Sequence, residues 1–189
     1  MSRRGPRHVR TSTTARSPID VSTYFQQTEH RELIYGHIRH LGQPPRGRDR
    51  VVSLLMQVLL IHRTRHVDIY PCPLPNVVLS ETDALVLHPA LAIVTADRLS
   101  LLRERIWGPP NVVVEVVDQR HVRRTKLSRV AWYRRYGVQE CWLVDPRTKM
   151  VDVVDFEANS LNVPNTYRAD AVLKSRALTG FSVRVNDIV

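Results

Sequence analysis

The sequence predicts a mixed α/β (α+β) domain, a central β-sheet flanked by helices, and three features of the chain carry that prediction. Residues 85–95 and 111–117 are nearly continuous apolar runs, as expected of central strands covered on both faces. Residues 49–66 place Val51, Val52, Leu54, Leu55, Val58, Leu59 and Ile61 at helical spacing, which gives a helix with a broad buried face. The 189 residues are about one domain's length, enough to bury a single core without disulfides or a structural metal.

Residues 1–16 are rich in Arg, Ser and Thr and poor in apolar side chains, which reads as a disordered basic arm preceding one folded domain over 17–189. Ser17 as N-cap, Pro18 at the first helical position and Asp20 shortly after predict a helix start. Residues 31–41 alternate as one strand, and 43–47 form a turn built on Pro and Gly. After the 49–66 helix, strands are expected at 76–79, 85–95 and 111–117. Residues 121–136 form a basic helix stopped by Gly137, and 139–144 form a further strand ending at Asp145 and Pro146. Residues 150–156 pair back on that strand as a hairpin, and the last residues supply edge strands. No internal repeat is visible, and helices interspersed with a mixed sheet give the α/β or α+β class.

The composition, 43% hydrophobic and 24% charged, is that of a globular chain and argues against disordered, fibrous or membrane classes. The longest nearly apolar run, 51–61, contains Ser53 and Gln57 and is far short of the roughly 20 residues that cross a bilayer. The Arg-rich start MSRRGPRHVR is followed by polar residues, unlike a secretory signal. Cys72 and Cys141 have no zinc or disulfide spacing, so a cytoplasmic location is expected. No P-loop, Rossmann glycine pattern or HExxH spacing is present, which disfavours nucleotide hydrolysis, hydride transfer and zinc proteolysis.

The formal net charge is +10, and its placement says more than its size. Residues 1–16 carry five Arg and no acid, while 120–135 carry seven Lys or Arg and no acid. Basicity confined to two short segments favours a polyanion partner, DNA above all. The competing reading is compositional: Arg outnumbers Lys 25 to 3, a bias that a GC-rich genome produces by itself. Trp107, Trp132 and Trp142 read as packing residues, because no aromatic cluster accompanies the Arg-rich segments.

From Pro89 onward the chain carries a recognisable order of pieces: HPALAIV, GPPNVVVEVVD, a basic helix, then WYRRYGVQECWLVDP. With RELIYG upstream and LTGFSVRVNDI at the end, this order resembles the Uma-type family of restriction-endonuclease-like proteins, in the PD-(D/E)xK nuclease-like superfamily. The resemblance covers about 17–189. It implies a restriction-endonuclease-like mixed sheet flanked by helices, and hydrolysis of phosphodiesters in DNA assisted by magnesium or manganese. It also implies a homodimer, as many nucleases of this fold cut two strands.

The resemblance assigns roles one residue at a time. Glu115, an acid in an apolar run where an unpaired charge is costly, matches the family's metal-binding strand glutamate; the bland alternative is a strand-end Glu reaching solvent. Glu32 matches a further acid beside the metal, or is an exposed charge on an alternating strand. Where the family reads Pro-Asp before an apolar strand, this chain reads Pro89-Ala90, so the second metal-binding acid is replaced by a methyl group. His88 or Asp83 is the candidate substitute ligand. The catalytic Lys expected four residues before Tyr133 is Arg129, with Lys126 one turn earlier. Arg does not shuttle protons but binds phosphate bidentately, so Arg129 joins Arg120, Arg123 and Arg124 as candidate nucleic-acid contacts.

Two function classes follow. The first is a metal-dependent DNA endonuclease with a weakened site, in which Glu115 binds metal, Glu32 assists and Lys126 or Arg129 contacts phosphate. The second is a nuclease fold that has lost hydrolysis and binds nucleic acid or a protein partner. Ala90 favours the second, and the retained Glu115 favours the first.

Overall fold

Tyr35 and Gly36 both adopt positive φ, 51° and 79°, the conformation of a two-residue hairpin turn. The chain therefore folds back inside 31–41, where one continuous strand was expected, and gives β1 (Arg31–Ile34) paired antiparallel with β2 (His37–His40). A computed structural model describes residues 17–27, 31–66, 68–117, 123–158 and 163–189, the backbone alone at 123–126. The proposed arm, 1–16, lies outside the described residues. The first helix, α1 (Val21–Phe25), starts later than predicted because Asp20 is the cap and accepts from the Thr23 N–H at 2.7 Å.

After the hairpin come α2 (Arg48–Arg63), β3 (Ile69–Pro73), β4 (Val77–Ser80), β5 (Leu85–Leu87), β6 (Leu91–Thr95), β7 (Ile106–Trp107), β8 (Val112–Val116) and α3 (Arg123–Arg135). Then follow β9 (Glu140–Asp145), β10 (Met150–Asp155), β11 (Asn165–Arg168), β12 (Val172–Lys174) and β13 (Ser182–Arg184). They form a six-stranded sheet in the order β11-β10-β9-β8-β6-β3, a five-stranded sheet β2-β1-β5-β4-β7, and a β12-β13 pair. Within the six-stranded sheet β8 and β9 run parallel, and α3 is the crossover that a parallel pair requires. The β9–β10 hairpin is the one expected, in register from Glu140↔Asp155 to Asp145↔Met150.

The apolar run 85–95 is two strands in two sheets. Pro89 has no N–H to give a ladder, and the His88 N–H is taken by the Glu32 carboxylate at 3.0 Å, so the chain leaves one sheet and enters the other between β5 and β6. Two further strands carry little sequence signal. In β3, Pro71 and Pro73 mask the strand, and it survives as an edge strand paired only with β6, where a missing N–H is tolerated. β7 is two residues long.

Both faces of the six-stranded sheet are covered, as the unbroken apolar pattern of β8 requires. Val51, Leu55 and Leu59 of α2 pack with Ile93, Val112, Val114 and Trp142 on one face. Val130 and Tyr133 of α3 pack with Ala92, Val113, Cys141 and Leu143 on the other. Helix α3 ends where predicted, at Gly137 with φ 91°, a value that favours glycine.

Glu140 is 1% exposed, and its carboxylate accepts from Trp142 Nε1 at 2.9 Å, Ser175 Oγ at 2.8 Å, and the N–H groups of Arg176 and Ala177 at 2.6 and 2.9 Å. A buried carboxylate with four donors is a tie between elements; this one fastens the C-terminal segment to the first residue of β9.

Candidate functional site

Glu115 sits next to the C-terminal end of β8, on the strand face that meets α3. Arg129 and Tyr133 are one helical turn apart on α3, so their side chains share a face. Glu32, on β1, reaches the same place from the other sheet and is 1% exposed. The three elements converge on one ionic cluster. Arg129 donates through Nε (2.8 Å) and Nη2 (2.5 Å) to Glu115 Oε1, and through Nη1 to Glu32 Oε1. Tyr133 donates its O–H to the same Glu115 oxygen, and the His88 N–H completes the shell of Glu32.

The side chains of Arg129 and Glu115 are 11% and 14% exposed, so these charges stand largely out of water and depend on one another. Burial pushes the Glu115 carboxyl above its usual range, against the pull of Arg129 and Tyr133. Burial also works against the Arg129 charge, but Glu115, Tyr133 and Glu32 outweigh it and hold the guanidinium firmly protonated. Burial and the neighbouring acid keep the Tyr133 hydroxyl neutral and donating.

A cavity of about 180 Å³ opens beside this cluster, lined by Glu115, Arg129, His88, Ala90, Arg39, His40, Arg48 and the Pro44–Pro45 loop, among others. Ladder register between β6 and β8 pairs Leu91 with Val114, and the Ala90 N–H donates to the Val114 carbonyl at 3.0 Å. The ladder ends at the Leu91–Val114 pair, and Ala90, just before it, lines the same cavity as Glu115. A larger cavity of about 450 Å³ lies at the other end of β8 and β9. There Arg176 pairs with Asp155 and Glu157 and Asn111 with Asp97 and Gln139, so its polar groups serve one another.

The structure brings Glu32, Glu115, Arg129 and His88 together. Asp83 belongs elsewhere: its carboxylate accepts from Tyr136 at 2.6 Å and from Ser80 at 3.2 Å. Arg123, Arg124 and Lys126 lie in the first turn of α3, with side chains outside the described residues, as is all of Arg120. Arg129, expected to meet phosphate, faces two carboxylates. Sequence reasoning missed the donor role of Tyr133, whose signal was the spacing Arg129-x-x-x-Tyr133, and missed Arg39 and Arg48 at the cavity.

A nuclease-like fold implies a divalent metal, and the donor set here does not fit one. A hard cation held by one or two carboxylates and water needs those carboxylate oxygens free, yet both carboxylates here already hold the guanidinium, and Ala90 offers a methyl group in place of a further acid. Among the described residues no group of three or more His, Cys, Asp or Glu is placed to hold a metal ion. No helix among them is long and apolar enough to cross a membrane.

Comparison with known proteins agrees with this architecture. A crystal structure titled as a putative nuclease belonging to DUF820 from Anabaena variabilis ATCC 29413 superposes with a TM-score of 0.72 at 14% identity, covering 90% of this chain and 97% of the other. At that identity the likeness is one of fold. No curated protein matches the chain. The sequence pattern of the family Uma2, described as "Putative restriction endonuclease", matches residues 19–186, nearly the whole described chain, and the protein belongs to that family.

Proposed function

We propose that this protein is a nuclease-fold module that binds DNA through its phosphate backbone and has lost metal-dependent phosphodiester hydrolysis. One observation carries the reading: the Arg129 guanidinium lies between Glu32 and Glu115, with Ala90 completing the pocket where a metal centre needs another oxygen donor. Positive charge remains around it. Arg39, His40 and Arg48 line the cavity, and the basic start of α3 lies six residues from Arg129, about 9 Å along the helix axis. Phosphates passing the cavity would meet Arg39 and Arg48 at its lining.

Retention of both Glu32 and Glu115 favours a second reading, magnesium- or manganese-dependent cleavage, in which Arg129 withdraws to admit the ion. Fluorescence anisotropy with a labelled duplex, at several salt concentrations and with a chelator present, separates the two. The proposed function predicts binding that weakens steeply with salt and needs no divalent ion. Binding that appears only with magnesium or manganese, or none at any salt concentration, overturns it.

A further inference from the structure

Glu32 and Glu115 come from different sheets and meet in a region that is nearly dry. Two carboxylates cannot both stay ionised there unless a cation stands between them. A divalent metal is one solution and a guanidinium is another, and the two compete for the same oxygens. Arg129 is the solution this chain contains. It spans the pair with three N–H donors, and a fourth contact, Nη2 to Tyr133 Oη at 3.1 Å, fixes the plane of the fork. A divalent ion added to this arrangement would meet a fixed positive charge and oxygens already engaged. The methyl of Ala90, which lines the same cavity as Glu115, supplies no compensating ligand.

We propose that Arg129 is a resident replacement for the divalent cation, and that a latent metal site formed by Glu32 and Glu115 lies beneath it, closed in the natural protein and opened by removing the guanidinium. The ligand class of the opened site is a hard divalent ion such as manganese, held by two carboxylates and water. This inference rests on the part of the proposed function that puts the bridge in a metal's place, and is independent of DNA binding.

Manganese binding, read from loss of the electron paramagnetic resonance signal of the free ion and from the melting temperature, tests it on the full chain. The natural protein should take up no manganese and melt at the same temperature with the ion or with a chelator. Arg129→Ala should bind one manganese per chain and melt several degrees higher when it is added, and Arg129→Ala with Glu115→Gln should lose both effects. Should Arg129→Ala not fold alone, recovery of its fold with manganese supports the proposal, and failure to recover passes the decision to Arg129→Gln, which keeps an amide donor facing the carboxylates. Stoichiometric manganese binding by the natural protein that Glu115→Gln abolishes overturns the proposal, as does a folded Arg129 variant that binds none. Loss of DNA binding with these manganese results intact would overturn the proposed function alone.

Discussion

Arg129→Met removes the guanidinium while keeping a flexible apolar chain in its place. The variant leaves Glu32 and Glu115, 1% and 14% exposed, facing one another without their cation. Removing one partner of a buried ion pair costs about 3–5 kcal/mol, because the remaining charge is uncompensated. For a chain of 189 residues, each kcal/mol moves the melting temperature by about 2–4 °C, so a loss of about 6–20 °C is expected by circular dichroism at neutral pH. The deficit has a pH signature. Without Arg129 the buried Glu115 carboxyl, raised by burial, loses the charge that pulls it down and holds its proton above the ordinary Glu value of about 4.3, at which it ionises in the unfolded chain. The variant's disadvantage is therefore greatest at neutral pH and shrinks as pH falls toward that value. Arg129→Met combined with Glu32→Gln and Glu115→Gln removes every charge of the cluster and should recover most of the loss. A single variant melting within about 2 °C of the natural protein, a difference below 1 kcal/mol, or a triple variant as unstable as the single one, would refute a buried ionic cluster.

Glu140→Ala should destabilise by at least about 3 kcal/mol in urea titration, since charge-assisted hydrogen bonds are worth about 1.5–3 kcal/mol each and four donors lose their acceptor. Replacing Arg120, Arg123 and Arg124 together by Ala should weaken DNA binding regardless of base sequence and flatten the salt dependence of log K by about 2.7, at ~0.9 for each phosphate no longer neutralised; an unchanged slope removes those residues from the interface. His62 is held below its ordinary pKa by burial and by His66, against Thr179 and Asp68. It therefore contributes stability that is present above its unfolded pKa, about 6.5, and is lost as pH falls below it; His62→Asn should lack that component in urea midpoints measured across this range. Ala90→Asp with Arg129→Lys should create magnesium-dependent nicking of supercoiled DNA that disappears when Glu115→Ala is added. A folded, DNA-binding protein that leaves plasmid intact would show that Ala90 does not correspond to the family's acid.

Much of this site was legible because its residues break local rules. Glu115 interrupts an apolar strand, and Ala90 interrupts a motif, so both stand out without coordinates. Arg129 was legible as a cation at a lysine's position, but its partner was not: a helix pattern gives its turn and face, whereas Glu32 lies 97 residues away and reaches it from a strand of the five-stranded sheet. The hairpin at Tyr35-Gly36 was hidden because alternation continues through it, and a left-handed tyrosine is uncommon. The run 85–95 hid a change of sheet because both halves are equally buried, and burial patterns do not say which sheet a strand joins. Glu140 read as one position in a motif; its role depends on a loop more than thirty residues later, which no local spacing reveals.

Incubation of supercoiled plasmid with the natural protein in manganese, beside Glu115→Gln and with binding measured in the same samples, is the most direct test of the claim that Arg129 has displaced metal chemistry from this site. The account predicts that the natural protein binds the plasmid and leaves it supercoiled, with no more nicking than the variant. Nicking by the natural protein that requires manganese and is abolished by Glu115→Gln would contradict it.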